Sequence, residues 1–118
     1  MKPEVIKIDD VEYVRKESNA VKLNGMEYCI VRTYSAGVYA GYVESQTGQE
    51  VVIRNARRLW SWDGARELTQ LARDGTTKPE NCKFPAEINK VKVLQAIEII
   101  HCTSKGQKSI QGVAIWTM

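Results

Sequence analysis

Apolar and polar positions alternate with period two along most of the chain, and turn signals cut that alternation into short runs. From Met26 to Arg32 the run MEYCIVR is rich in β-branched and aromatic residues and stops at Ser35-Ala36-Gly37. Val38 to Glu44 resumes it, Ser45 to Gln49 closes it with a Thr47-Gly48 turn, and Glu50 to Ile53 follows. Residues 26–54 therefore read as a three-stranded antiparallel meander. Asn24-Gly25 precedes it as a turn, since both residues accept positive φ at low cost. Gly41, inside the second strand, marks a bulge or a close approach by another backbone or a ligand. Before the meander, VIKIDDVEYVRK (Val5 to Lys16) alternates around Asp9-Asp10 and predicts a hairpin, with Glu17 to Ala20 as a linker. Residues 1–25 thus form an N-terminal hairpin and linker, and residues 26–118 a single domain.

Helical periodicity is confined to one clear place. Ala65, Leu68, Leu71 and Ala72 mark one face of a helix over Gly64 to Ala72, with Asp63 as N-cap and Gly75 as terminator. Val91 to Ile100 alternates again, apolar on both faces toward its end, and predicts one central strand. Thr103 or Ser104 caps a short helical turn running to Ser109, and Val113 to Trp116 reads as a closing strand. The expected class is α+β: mainly antiparallel β-sheet, with one clear helix and a short C-terminal helix between two strands.

Composition narrows the function. A chain of 118 residues has room for one small core, so part of its apolar surface can be covered by other copies of itself. Seventeen Lys and Arg against fourteen Asp and Glu give a net charge of +3, far from a polybasic nucleic-acid protein. Any anion site must then be a local cluster. Met1-Lys2-Pro3-Glu4 lacks the apolar run of a signal peptide, and no apolar stretch nears the roughly 18 residues of a membrane span. A cytoplasmic protein is expected. Cys29, Cys82 and Cys102 form no CxxC pair, and with His101 as the single histidine no metal site is expected; reduced thiols on or near strands are.

The candidate chemistry lies where the meander ends, at Arg54-Asn55-Ala56-Arg57-Arg58-Leu59-Trp60. Cationic donors beside flat apolar faces suit a ligand that is both phosphorylated and aromatic. If the strand continues, its arginines divide between two faces; if Asn55 breaks it, they fan out on a connector. Phe84 sits in the polar, proline-bounded loop TTKPENCKFP as either a core plug or a stacking platform. Lys105 and Lys108 form a weaker basic element. Catalytic signals are missing: no nucleophile elbow, no phosphate loop, no carboxylate cluster of metal-binding type. Binding without turnover and without a cofactor is expected.

The blocks Val31-Arg32-Thr33-Tyr34-Ser35-Ala36-Gly37-Val38, Asn55-Ala56-Arg57-Arg58-Leu59-Trp60, Cys82-Lys83-Phe84-Pro85 and Ala96-Ile97-Glu98-Ile99-Ile100 resemble a family of small tailed-phage proteins. That pattern is similar to the phage anti-defence sponges that defeat Thoeris immunity by sequestering its cyclic ADP-ribose signal. It covers Met26 to the C-terminus and leaves the N-terminal hairpin as a variable addition. The resemblance implies antiparallel strands followed by short helices, dimers assembling to a hexamer in the cytoplasm of the infected host, and capture of cyclic ADP-ribose isomers without cleavage. In some members cyclic di- or trinucleotides bind at a separate site. It also implies an aromatic residue stacked on adenine, matched by Phe84, phosphate held by Arg57 or Arg58, and a polar contact from Asn89. The C-terminal cation would be Lys105 or Lys108, a point charge where a guanidinium fork is expected. Two other classes stand beside it: a single-stranded nucleic-acid-binding accessory protein, and a phage structural or assembly protein using the Arg-Trp stretch as an oligomer interface.

Overall fold

The computed structural model describes residues 20–117; the hairpin expected at Val5 to Lys16 lies outside the described residues. Five strands form one antiparallel sheet: β1 Glu27–Thr33, β2 Val38–Thr47, β3 Glu50–Arg58, β4 Ile88–Val93 and β5 Ala96–His101, in the order β4-β3-β2-β1-β5. Among the described residues two helices accompany it, α1 Leu68–Asp74 and α2 Ser104–Gly112, with a 3-10 turn at Pro79–Asn81. The expected α+β class with a mainly antiparallel sheet is observed. No helix among the described residues is long and apolar enough to cross a membrane.

The turns form where the chain supplies positive φ. Asn24 and Gly25 take φ 51° and 81°, closing the Leu23–Met26 bridge, and Gly37 and Gly48 take 89° and 61° at the β1–β2 and β2–β3 turns. Asn55 does the same inside β3, at 51°, yet the strand runs on to Arg58. Asn55 is thus a bulge residue. Beside it, a Cβ added to Gly41 would lie 2.6 Å from the Ile53 side chain and 2.8 Å from the Arg54 carbonyl, so Gly41 serves strand packing.

The sheet is rolled. β4 and β5 occupy opposite edges but are joined by Leu94 and Gln95 alone, which requires distant corners of the sheet to meet. They do: the Ala96 N–H donates to the Gln49 carbonyl at the β2–β3 turn, and the Tyr34 N–H donates to the Gln95 carbonyl, each at 2.9 Å. Val31, Tyr39, Val51, Ile53, Ala56, Val93 and Ala96 pack inside the roll. This corrects the expectation of one central strand from Val91 to Ile100. The alternation is unbroken in sequence because both halves are strands, but the chain crosses from one edge to the other between them.

The other face of the sheet carries the helices. Tyr28, Ile30, Ala40, Tyr42 and Leu59 pack against Leu68, Leu71, Ala72, Phe84, Ile110 and Val113. β1 is therefore buried on both sides, which explains its near-continuous apolar run. Helix α1 starts at Leu68, four residues later than predicted, because Gly64 takes φ 81° and Glu67 the extended conformation. Asp63 instead pins the loop, accepting from the Gly64 N–H at 2.8 Å and from Asn81 Nδ2 at 3.0 Å. Helix α2 is longer than the single turn expected; Thr103 caps it by accepting from the Gly106 N–H at 3.1 Å. In place of a closing strand, Ile115 makes one isolated parallel bridge with Phe84.

Candidate functional site

The bulge at Asn55 decides the fate of the two central arginines. It shifts the side-chain alternation of β3 by one, so that Arg57 points into the helix layer and Arg58 to the opposite face of the sheet. Arg57 is 3% exposed, and its guanidinium donates to four backbone carbonyls: Nε to Pro85 at 2.9 Å, Nη1 to Ile110 at 2.8 Å, and Nη2 to Phe84 at 2.9 Å and Val113 at 2.6 Å. Burial lowers its pKa from the ordinary guanidinium value, with Tyr28 and Glu87 opposing. Four of the five N–H directions in which this fork could hold phosphate are taken by carbonyls, and the group is buried among them.

Phe84 is wholly buried in the same layer, its ring centroid 5.5 Å from the Arg57 guanidinium carbon. The structure thus brings these two expected residues together, but as core. Arg58 is half-buried, 4.7 Å above the Tyr39 ring, donating to the Tyr39 hydroxyl and to the Ala36 carbonyl. Asn89 is exposed on the β4 edge, and Lys105 and Lys108 are exposed on α2. The six residues expected from the sequence do not form one pocket.

A different set does. Between the helix-bearing face of the sheet and the segment leading into α1 runs a groove of about 440 Å³, lined by Arg32, Val38, Trp62, Arg66, Glu67, Leu68, Thr69, Glu98 and Ile100. β1 contributes Arg32, two residues beyond Ile30 on the same face, and β5 contributes Glu98, its cross-strand partner. Arg32 Nε donates to Glu98 Oε1 at 2.9 Å. The irregular stretch after β3 supplies Trp62 and Arg66, with the Arg66 N–H held by Gln70 Oε1 at 2.8 Å. An indole, two guanidiniums and an apolar wall of Val38, Leu68 and Ile100 share one cavity of ligand size. The sequence offered tryptophan faces beside Arg54, Arg57 and Arg58 and gave no ligand role to Arg32 or Arg66; what joins those two to Trp62 is their position along the helix face, which needs the fold to be seen.

A second constellation has the residue types of a catalytic set in a different geometry. Cys29 Sγ lies 3.5 Å from His101 Nδ1, and Glu27 Oε1 lies 3.0 Å from that same nitrogen. A working nucleophile needs the base on one ring nitrogen and the orienting acid on the other. Here both crowd Nδ1. Burial, with Glu27 adding to it, pushes the Cys29 thiol up to about 12, so it remains protonated at neutral pH.

Comparison with known proteins gives a family. Residues 26–110 match the family model of a domain of unknown function, DUF6948. The chain belongs to that family. The matched span runs from just before β1 into α2 and contains every groove residue as well as Arg57, Arg58 and Phe84. No curated protein and no solved structure shows significant similarity to the chain.

Proposed function

We propose that this protein binds a small phosphorylated molecule carrying a flat ring, and holds it without converting it, in the groove formed by Arg32, Trp62 and Arg66. The observation that carries the reading is the coincidence of an indole and two guanidiniums in one cavity of about 440 Å³. Stacking on Trp62 and charge-assisted hydrogen bonds to the arginines supply affinity without any activated group. The inert Cys29–His101 pair supports binding over turnover. Within that class, the resemblance to the Thoeris anti-defence sponges favours a cyclic nucleotide immune signal, a cyclic ADP-ribose isomer first, sequestered in the cytoplasm of an infected bacterium. Cyclic di- or trinucleotides come second, because Lys105 and Lys108 stand exposed on α2, away from the groove lining.

The test is depletion and recovery. The full chain is incubated with a mixture of cyclic ADP-ribose isomers and cyclic di- and trinucleotides, filtered, and then heat-denatured. The reading expects one ligand to vanish from the filtrate and return intact, and Trp62→Ala and Arg66→Ala to abolish the depletion while Lys105→Ala leaves it in place. A new product would make the protein an enzyme, and no depletion of any phosphorylated ring would sink the reading.

One observation favours assembly as well. Trp60 and Ile115 are each 61% exposed, and Lys83 Nζ lies 5.7 Å from the centre of the Trp116 ring. Segments 60–61, 83–84 and 115–116 are bridged side by side, so these residues share one neighbourhood suited to covering by another copy. A dimer, or the hexamer that the resemblance implies, would place this surface at a subunit contact.

A further inference from the structure

We infer that the groove selects a free ribonucleotide with an intact 2′,3′-diol, its two glutamates accepting from the sugar hydroxyls while its two arginines take phosphate. This rests on the groove being the ligand site. A cavity for phosphate alone has no use for carboxylates, yet Glu67 and Glu98 line this one in equal number to Arg32 and Arg66. Its charge is balanced. A ligand rich in phosphate brings anions beside two carboxylates and loses on them much of what the arginines provide.

The pairing within the groove points the same way. Arg32 engages Glu98 through Nε alone, at 2.9 Å, which leaves the two terminal guanidinium nitrogens with no protein acceptor among the described residues. Glu98 correspondingly keeps its second oxygen, and Glu67, exposed at the start of α1, makes no side-chain cap to the helix. An ionised carboxylate is an acceptor only, so what these oxygens require is a donor. Adjacent sugar hydroxyls supply two in a geometry that one carboxylate receives, the arrangement used wherever an acidic side chain reads a ribose. The cavity is of a size to take one nucleotide.

The experiment is calorimetric titration of the full chain with ADP, 2′-deoxy-ADP, inorganic pyrophosphate and a short oligoribonucleotide, repeated on Glu98→Gln and Glu67→Gln. ADP should bind about tenfold or more tightly than its deoxy counterpart, and pyrophosphate weakest, because a hydroxyl removed from a carboxylate partner leaves that acceptor unpaired. Each Gln variant should strengthen pyrophosphate, as loss of any neighbouring carboxylate would, and should also narrow the ADP-to-deoxy ratio, the change that a merely structural ion pair would not produce. Equal binding of ADP and 2′-deoxy-ADP overturns the inference and leaves the groove reading standing. Tighter binding of the oligoribonucleotide than of ADP also overturns it, in favour of RNA; silence toward ADP overturns the inference alone, and only silence here together with no depletion of the cyclic ADP-ribose isomers and cyclic nucleotides overturns the groove reading as well.

Discussion

Arg57→Lys separates a structural arginine from a phosphate-binding one. The native guanidinium makes four hydrogen bonds of 2.6 to 2.9 Å to carbonyls of Pro85, Phe84, Ile110 and Val113, and is 3% exposed. Hydrogen bonds to a charged donor are worth about 1.5–3 kcal/mol each in mutational series, a gross gain that the desolvation of the guanidinium largely offsets. What the substitution measures is the carbonyls left without a donor. An ammonium offers donors from one point on a shorter reach and cannot replace the Nε bond to Pro85 together with both terminal nitrogens, so a loss of about 2–4 kcal/mol is expected, and about 3–5 kcal/mol for Arg57→Met. Against a typical domain stability of about 5–15 kcal/mol, either change is large. The assay is urea unfolding followed by tryptophan fluorescence, with nucleotide binding measured on the folded fraction. A midpoint displaced to lower urea with affinity unchanged is the expected pair of results. Arg57→Lys within about 0.5 kcal/mol of the parent, or lost affinity at unchanged stability, would refute the assignment of Arg57 to the frame.

Three further outcomes follow from the packing. The Tyr28 hydroxyl is buried with no partner among the described residues, whereas the Tyr42 hydroxyl accepts from Gln107 Nε2 at 3.0 Å; Tyr28→Phe should therefore be neutral or stabilising and Tyr42→Phe cost about 1 kcal/mol in the same urea assay, and the reverse order would contradict the buried-polar argument. A Cβ on Gly106 would sit 1.9 Å from the Ala72 carbonyl oxygen, where α2 meets the end of α1, so Gly106→Ala should lower stability by about 1–3 kcal/mol, while Gly112→Ala, which meets nothing, should not. Burial pushes the Cys29 and Cys102 thiols up to about 12 from 9.0, so below pH 9 both states are protonated, and between 9 and 12 only the unfolded chain loses these protons. Urea midpoints should stay level from pH 7 to 8.5 and fall by pH 10, with a shallower fall in Cys102→Ala; a flat profile to pH 10 would show that these thiols are not protected.

The sequence carried the meander and its turns because each turn is a local event: Asn24-Gly25, Gly37 and Gly48 answer a requirement for positive φ that their own neighbours impose. It carried the arginine and tryptophan stretch as chemically notable for the same reason, since residue types are visible one by one. What it could not carry are the two facts that depend on the sheet being rolled. One is the jump from β4 to β5, where Val91 to Ile100 keeps a single alternation through Leu94 and Gln95 while the two halves join opposite edges. The other is the bulge at Asn55, a single positive φ that exchanges the faces served by Arg57 and Arg58. Both act on the functional reading. The bulge buries Arg57 and Phe84 together and removes them from any ligand, and the roll brings β5 beside β1, so that Glu98 meets Arg32 across 66 positions of sequence. A groove whose walls are that far apart along the chain has no local signature. Its residue types were visible one by one, but that Arg32 and Arg66 share a cavity with Glu67 and Glu98 became readable only when the edge strand and the segment before α1 were placed.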